Sequence, residues 1–191
     1  MRSLVRHRCM RTLRDCSGVA AVEFAFVAPI LILLWLGGVE ITQALSADRR
    51  VSALAASIGD LVSRSEMVTE AEVENIFDLA AGALYPFDPA VAGLVLTAAD
   101  IDGEGRAKVA WSRSRGGAAA YQPGTDVTHL LDPKLLVPNT QLIIPEVHYS
   151  YRPAVGYVIT GSLALEERLV FVPRIGSRVA LCKDASETDC V

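Results

Sequence analysis

Four groups of residues have types and spacings that could do chemistry. Glu146 and His148 stand two apart in an apolar, β-type run, so they share one face of a strand. There a carboxylate and an imidazole could work as an acid/base pair, or simply lie on a solvated sheet face. Asp100, Asp102 and Glu104 alternate as calcium ligands do, but the twelfth position counted from Asp100 is Trp111 where a calcium loop places Glu. Gly103 and Gly105 fit a hairpin turn instead, since glycine accepts positive φ. Glu166 and Glu167 are adjacent and face opposite ways on a strand, which argues against a shared carboxylate site. Cys182 and Cys190 could close a small disulfide loop or remain two thiols.

These groups do not add up to an enzyme. No Gly-x-Ser-x-Gly, His-Glu-x-x-His, phosphate-cradling loop or Cys-x-x-Cys occurs, and only His129 and His148 lie beyond the N-terminal third. The expectation is no catalytic residue, no metal, no cofactor and no small-molecule substrate.

The elements that would position any site begin with an anchor. Hydrophobic residues make up 51% of the 191, high for a soluble domain, and the excess is concentrated. Val19 to Val39 is an apolar run broken by one acid, Glu23. As a helix it would be roughly 31 Å long, enough for a hydrocarbon core of about 30 Å. Before it, residues 1–18 carry five arginines against Asp15, a net of +4, so with an overall charge of −4 residues 19–191 carry −8. Arginines beside a span stay on the cytoplasmic side, which puts the leader inside and everything after about Glu40 outside. That basic leader is explained by topology, and no nucleic-acid partner is expected. Cys9 and Cys16 fall in the reducing compartment, Cys182 and Cys190 in the exported part.

The run is long for a secretory signal, and no small-residue cleavage site follows it. A different cleavage point precedes it. Gly18, four apolar residues, Glu23 and Phe24 resemble the type IV prepilin pattern, in which a prepilin-type peptidase cuts after the Gly. The implied cut lies between Gly18 and Val19, making Glu23 the fifth residue of the mature chain. A carboxylate inside a span costs about 2.5–3.5 kcal/mol at the centre and less near an end. Glu23 either snorkels or, as the resemblance implies, pairs with the new N-terminal amine of a neighbouring subunit. The longer run from Gly18 through Pro29, with Gly37–Gly38–Val39–Glu40 after it, resembles the TadE-like family of pseudopilin-like proteins of the tight-adherence (Flp) pilus system. Downstream, Asp60–Val62, Val109–Ser112, Ile144–Pro153 and Phe171–Arg174 resemble recurrent TadE/TadG-like blocks, with Val172 where an Arg is usual.

Beyond the span, Val51, Leu54, Ala55, Ile58, Leu61 and Val62 form an i, i+3, i+4, i+7 stripe. They extend the helix to about Arg64, for packing on the chain's own sheet or on a partner. Thr69 and Glu72 spell a capping box for a second helix whose apolar face is Val73, Ile76, Phe77, Ala80 and Leu84 and which ends at Pro86. Strands are expected at 94–101, 107–112, 141–151, 163–172 and 178–181, with Pro145 marking an edge or a bulge. Residues 114–139 read as loop with one helical turn near 127–131. Tyr149 and Tyr151 are expected in the core, and Trp111 in the core or as a binding aromatic.

The sequence thus predicts an α+β, pilin-like chain. Its parts are a basic cytoplasmic leader (1–18), a transmembrane helix (19–41) and an exported α+β domain (42–191), with the long helix packed on a small antiparallel sheet. The resemblance implies a membrane-anchored pseudopilin in pilus assembly, placed in the bacterial inner membrane with its C-terminal domain periplasmic, or in the extracellular pilus. Its partners would be other pilins, the inner-membrane assembly platform, the prepilin-type peptidase and membrane lipid. The rival readings are an uncleaved anchor carrying an exported binding or adhesion domain, and an exported enzyme.

Overall fold

The computed structural model describes residues 17–153, 156, 160–184 and 189–191. The arginine-bearing leader and Cys9 and Cys16 lie outside the described residues. Helix α1 (Ser17–Ser63) is one unbroken rod of 47 residues, roughly 70 Å long. It is followed by β1 (Met67–Thr69), α2 (Glu70–Ala81), β2 (Ala92–Ile101), β3 (Ala107–Arg115), β4 (Gln141–Tyr151), β5 (Leu163–Arg168) and β6 (Ala180–Cys182). The architecture is α+β, as the sequence predicts.

The capping box at Thr69 is made: its hydroxyl accepts from Glu72 N–H while the Glu72 carboxylate accepts from Thr69 N–H. α2 stops at Ala81, five residues short of Pro86, and the chain tightens into a 3-10 turn over Gly82–Leu84. Four strands form an antiparallel sheet in the order β3-β2-β4-β5. β4 reaches its place beside β2 because residues 116–139 travel over the outer face, with short 3-10 turns at Thr128–Leu130 and Pro133–Leu135. β1 and β6 pair in parallel as a separate small ladder, a non-local pairing that local pattern did not reveal.

Both faces of the sheet are covered, so β2 and most of β4 are continuously buried rather than alternating. The inner face holds Leu96, Ala98, Trp111, Ile143, Val147 and Tyr149 against α1 and α2. Trp111 donates its indole N–H to the Val179 carbonyl, 2.8 Å away. The outer face holds Val109, Leu142 and Ile144 under Val127 and Leu131. The stripe on α1 packs on its own sheet, except that Leu61 turns outward.

Pro145 marks neither an edge nor a bulge. β4 lies between β2 and β5, and the bulge falls on the β2–β3 pair between Ala98 and Ala99. Ile143 exchanges both backbone bonds with Phe171. Two residues on, Pro145 therefore turns its missing N–H to that same side, where the regular part of β5 ends at Arg168 and Leu169 donates to the Pro145 carbonyl. The missing bond therefore falls just past the end of the regular β4–β5 ladder, which begins at the Glu146–Arg168 pair.

Gly59 shows how closely helix and sheet approach. A Cβ there would collide with the Phe171 ring. Alanine favours a helix over glycine by about 1 kcal/mol, but overpacking costs about 1–3 kcal/mol. Gly59→Ala is therefore expected to lose about 1 kcal/mol, and Gly59→Ala with Phe171→Leu to recover it. Thermal unfolding of the two variants checks this.

Candidate functional site

The first half of α1 has no packing partner in its own chain. Val19, Phe24, Phe26, Leu31, Leu34 and Trp35 all project outward, and burial by the domain begins only at Gly37. A row of large apolar side chains of this extent is stable only in lipid or against other apolar helices. Among the described residues this is the one helix long and apolar enough to cross a membrane. Pro29 lies inside it without ending it. Its absent N–H frees the Ala25 carbonyl, which membrane helices accommodate by local adjustment.

The predicted processing residues sit at the start of this rod. Gly18 is its second residue, and a Cβ added there would meet nothing within 4 Å. Packing among the described residues therefore does not require glycine at this position. Val19 and Phe24 are more than half exposed and Glu23 is exposed too, so all are presented to whatever surrounds the helix.

A family model described as TadE-like protein matches residues 18–59, starting at that glycine and running along α1 to Gly59. Over these residues the chain is similar to the TadE-like family. The family points to the Tad/Flp pilus system, and the apolar helix supports membrane anchoring within it. No curated protein and no solved structure matches the chain. The four downstream blocks that resemble TadE/TadG-like proteins lie beyond the matched part.

The other chemical candidates resolve differently. Glu146 and His148 share the outer face but not a site. Glu146 is 2% exposed, so the expectation of a solvated face is corrected for this residue. Residues 116–139 fold over it, a cover that strand alternation could not announce. Its Oε2 accepts from Arg168 Nη2 at 2.8 Å and from the Tyr121 hydroxyl at 3.4 Å, while Oε1 has no hydrogen-bond partner. Burial, then the Glu146 charge, pushes the Tyr121 phenol above its ordinary pKa, and the hydrogen bond to Glu146 raises that of Arg168. His148 instead points Nδ1 at Glu166 Oε1, 3.5 Å away, and both side chains are solvent-accessible.

Around Asp102 the carboxylate is already committed. Its Oδ1 accepts from the backbone N–H of Glu104 and Arg106, and its Oδ2 from Arg106 Nε at 3.1 Å. The Arg106 backbone bond is the chief cause holding this carboxyl below its ordinary pKa. Asp100 faces Gln141 and Arg178, and Glu104 pairs with Arg106. Asp102 and Glu104 thus serve a hairpin whose turn uses Gly105 at φ 78°, while Asp100 ties β2 to Gln141 on β4 and to Arg178. No cluster of three or more metal-type ligands occurs among the described residues. Cys182 and Cys190 are bonded, their Cα atoms 4.0 Å apart, and the Leu181 and Val191 backbones exchange hydrogen bonds beside them.

Sequence reasoning missed the burial of Glu40, which is 1% exposed. A signal existed. Gly37, Glu40, Ala44, Ala47, Val51 and Leu54 are spaced alternately three and four apart, and all are buried on one face of α1. Glu40 is charged and stands at the outer end of the expected span, which hides its place in that series.

Proposed function

We propose that this chain is a membrane-anchored pseudopilin that helps assemble a Flp/type IV-like pilus, inserted with its leader in the cytosol and cut between Gly18 and Val19. The observation that carries this is the pairing of a family match that starts at Gly18 with an apolar rod that its own domain leaves bare up to Trp35. A bare rod fixed rigidly to a folded head can pack laterally against neighbouring rods and leave the bilayer with them. Glu23 would set the register, facing the Val19 amine of an adjacent subunit. Partners on this reading are other pilins, the assembly platform, the peptidase and, before assembly, lipid.

N-terminal sequencing of the membrane-fraction protein tests the cut. Val19 as first residue supports processing; Met1 favours a fixed anchor carrying an exported adhesion domain. Gly18→Ala is expected to block the cut and leave a chain longer by the 18-residue leader on a gel. Unchanged mobility of that variant, with Met1 found in the unaltered protein, would mean that no cut occurs there.

A further inference from the structure

We propose that, before assembly, lipid rises along the free flank of α1 to about Leu45, and that the lower rim of the exported domain is seated in the headgroup layer. This rests on the membrane-anchored reading and goes beyond it: the head is not held off the bilayer by a stalk.

The junction between bare helix and domain is short. Bare apolar helix runs to Trp35, and the domain first covers α1 at Gly37. The gap is less than one helical turn of about 5.4 Å. A headgroup layer is roughly 5–7 Å thick on each side. Since α1 continues unbroken through this point, the domain has no room to stand clear of the lipid.

The charge pattern agrees. Between Phe24 and Ala47 the only ionisable residue is Glu40, and the domain encloses it. The next charges are Asp48, Arg49 and Arg50. A hydrocarbon core of about 20 residues counted from Phe24, just past Glu23, ends near Gln43.

So does the chemistry of the flank opposite the domain. Ile41 and Leu45 are 51% and 53% exposed. The hydroxyls between and beside them are turned inward: Thr42 Oγ1 donates to the Gly38 carbonyl and Ser46 Oγ to the Thr42 carbonyl, each at 2.8 Å. Hydroxyls satisfied by their own helix in this way can face an apolar medium without an unpaired donor.

The rim itself is built for the same place. Leu163 pairs with Tyr151 at the start of β5, and Tyr151 lies close enough to Glu40 for that charge to help raise its pKa, after burial. Four residues along β5, Glu167 accepts from Ser52, so β5 climbs away from the membrane and Leu163 marks its lower end. Leu163 is partly exposed, and the exposed Arg152, next in the chain to the Tyr151 that pairs with Leu163, carries the planar cation suited to lipid phosphate.

The test uses the full chain with Cys9→Ser and Cys16→Ser and the native Cys182–Cys190 bond kept. It is placed in phospholipid nanodiscs at no more than one copy per disc. Single nitroxides at Leu33→Cys, Leu45→Cys, Leu163→Cys and Leu61→Cys report accessibility to oxygen, which partitions into lipid, and to a water-soluble nickel chelate. The expected oxygen-to-nickel ratio is highest at 33, lowest at 61 and intermediate at 45 and 163. Ratios at 45 and 163 equal to that at 61, with 33 still lipid-like, overturn the proposal and leave the membrane span standing. A water-like ratio at 33 overturns the membrane reading itself. Spin–spin broadening at 45 means that a second copy occupies the flank and also overturns the proposal.

Discussion

Glu23→Ala is expected to leave membrane insertion intact and to abolish most filaments. Insertion should be unharmed because the substitution removes the only charge between Val19 and Val39, a charge that costs up to about 2.5–3.5 kcal/mol in a span. Assembly should suffer because the Val19 amine of the neighbouring subunit is then left without its acid among apolar helices. Removing one partner of a buried ion pair typically costs about 3–5 kcal/mol, which corresponds to roughly two to four powers of ten at the joint this subunit makes. Glu23→Gln keeps the size and loses the charge, so it should fail as Glu23→Ala does if charge is what matters. Counting filaments by electron microscopy, with the membrane-fraction protein level as control, checks both variants. Normal filament numbers at normal protein level would remove the register role.

Arg168→Ala should give the largest loss of stability in the exported domain. Glu146 is buried beneath residues 116–139, and Arg168 is its charge partner. Without the guanidinium the carboxylate keeps only the longer contact to Tyr121. Its Oε1 already lacks a hydrogen-bond partner. The cost of stranding a buried charge is about 3–5 kcal/mol, and the lower end applies because Arg168 is itself about one-third exposed. At about 2–4 °C per kcal/mol for a chain of this size, the midpoint should fall by roughly 6–12 °C. Combining Arg168→Met with Glu146→Gln removes the net charge from both partners and should recover much of the loss. Thermal unfolding followed by near-UV circular dichroism, with Trp111 as the buried reporter, reads the difference. Equal midpoints for Arg168→Ala and the unaltered chain would show that the pair is not holding the fold.

Much of this fold is legible in the amino-acid order because its signals are local. The apolar run, the stripe at Val51, Leu54, Ala55, Ile58 and Val62, the capping box at Thr69 and the turn before Gly105 each depend on a few neighbouring residues. What escaped reading is set by elements distant in the chain. Glu40 looks like the outer end of a span, and only tertiary packing on α1 makes it interior. Strand alternation places Glu146 beside His148, but it cannot say that Tyr121 and Arg168 will close over one and not the other. Leu61 belongs to the stripe by periodicity and drops out because the sheet does not reach that side of the helix. The parallel pairing of β1 with β6 joins residues more than a hundred positions apart.

The measurement that bears most directly on the central claim is a topology assay in living cells. Alkaline phosphatase, active only outside the cytosol, and a green fluorescent protein that folds only inside it are fused in turn behind Val191. A single span with the arginine-rich leader inside predicts phosphatase activity and no fluorescence. Bright fluorescence with an inactive phosphatase would place the folded head in the cytosol and contradict the account.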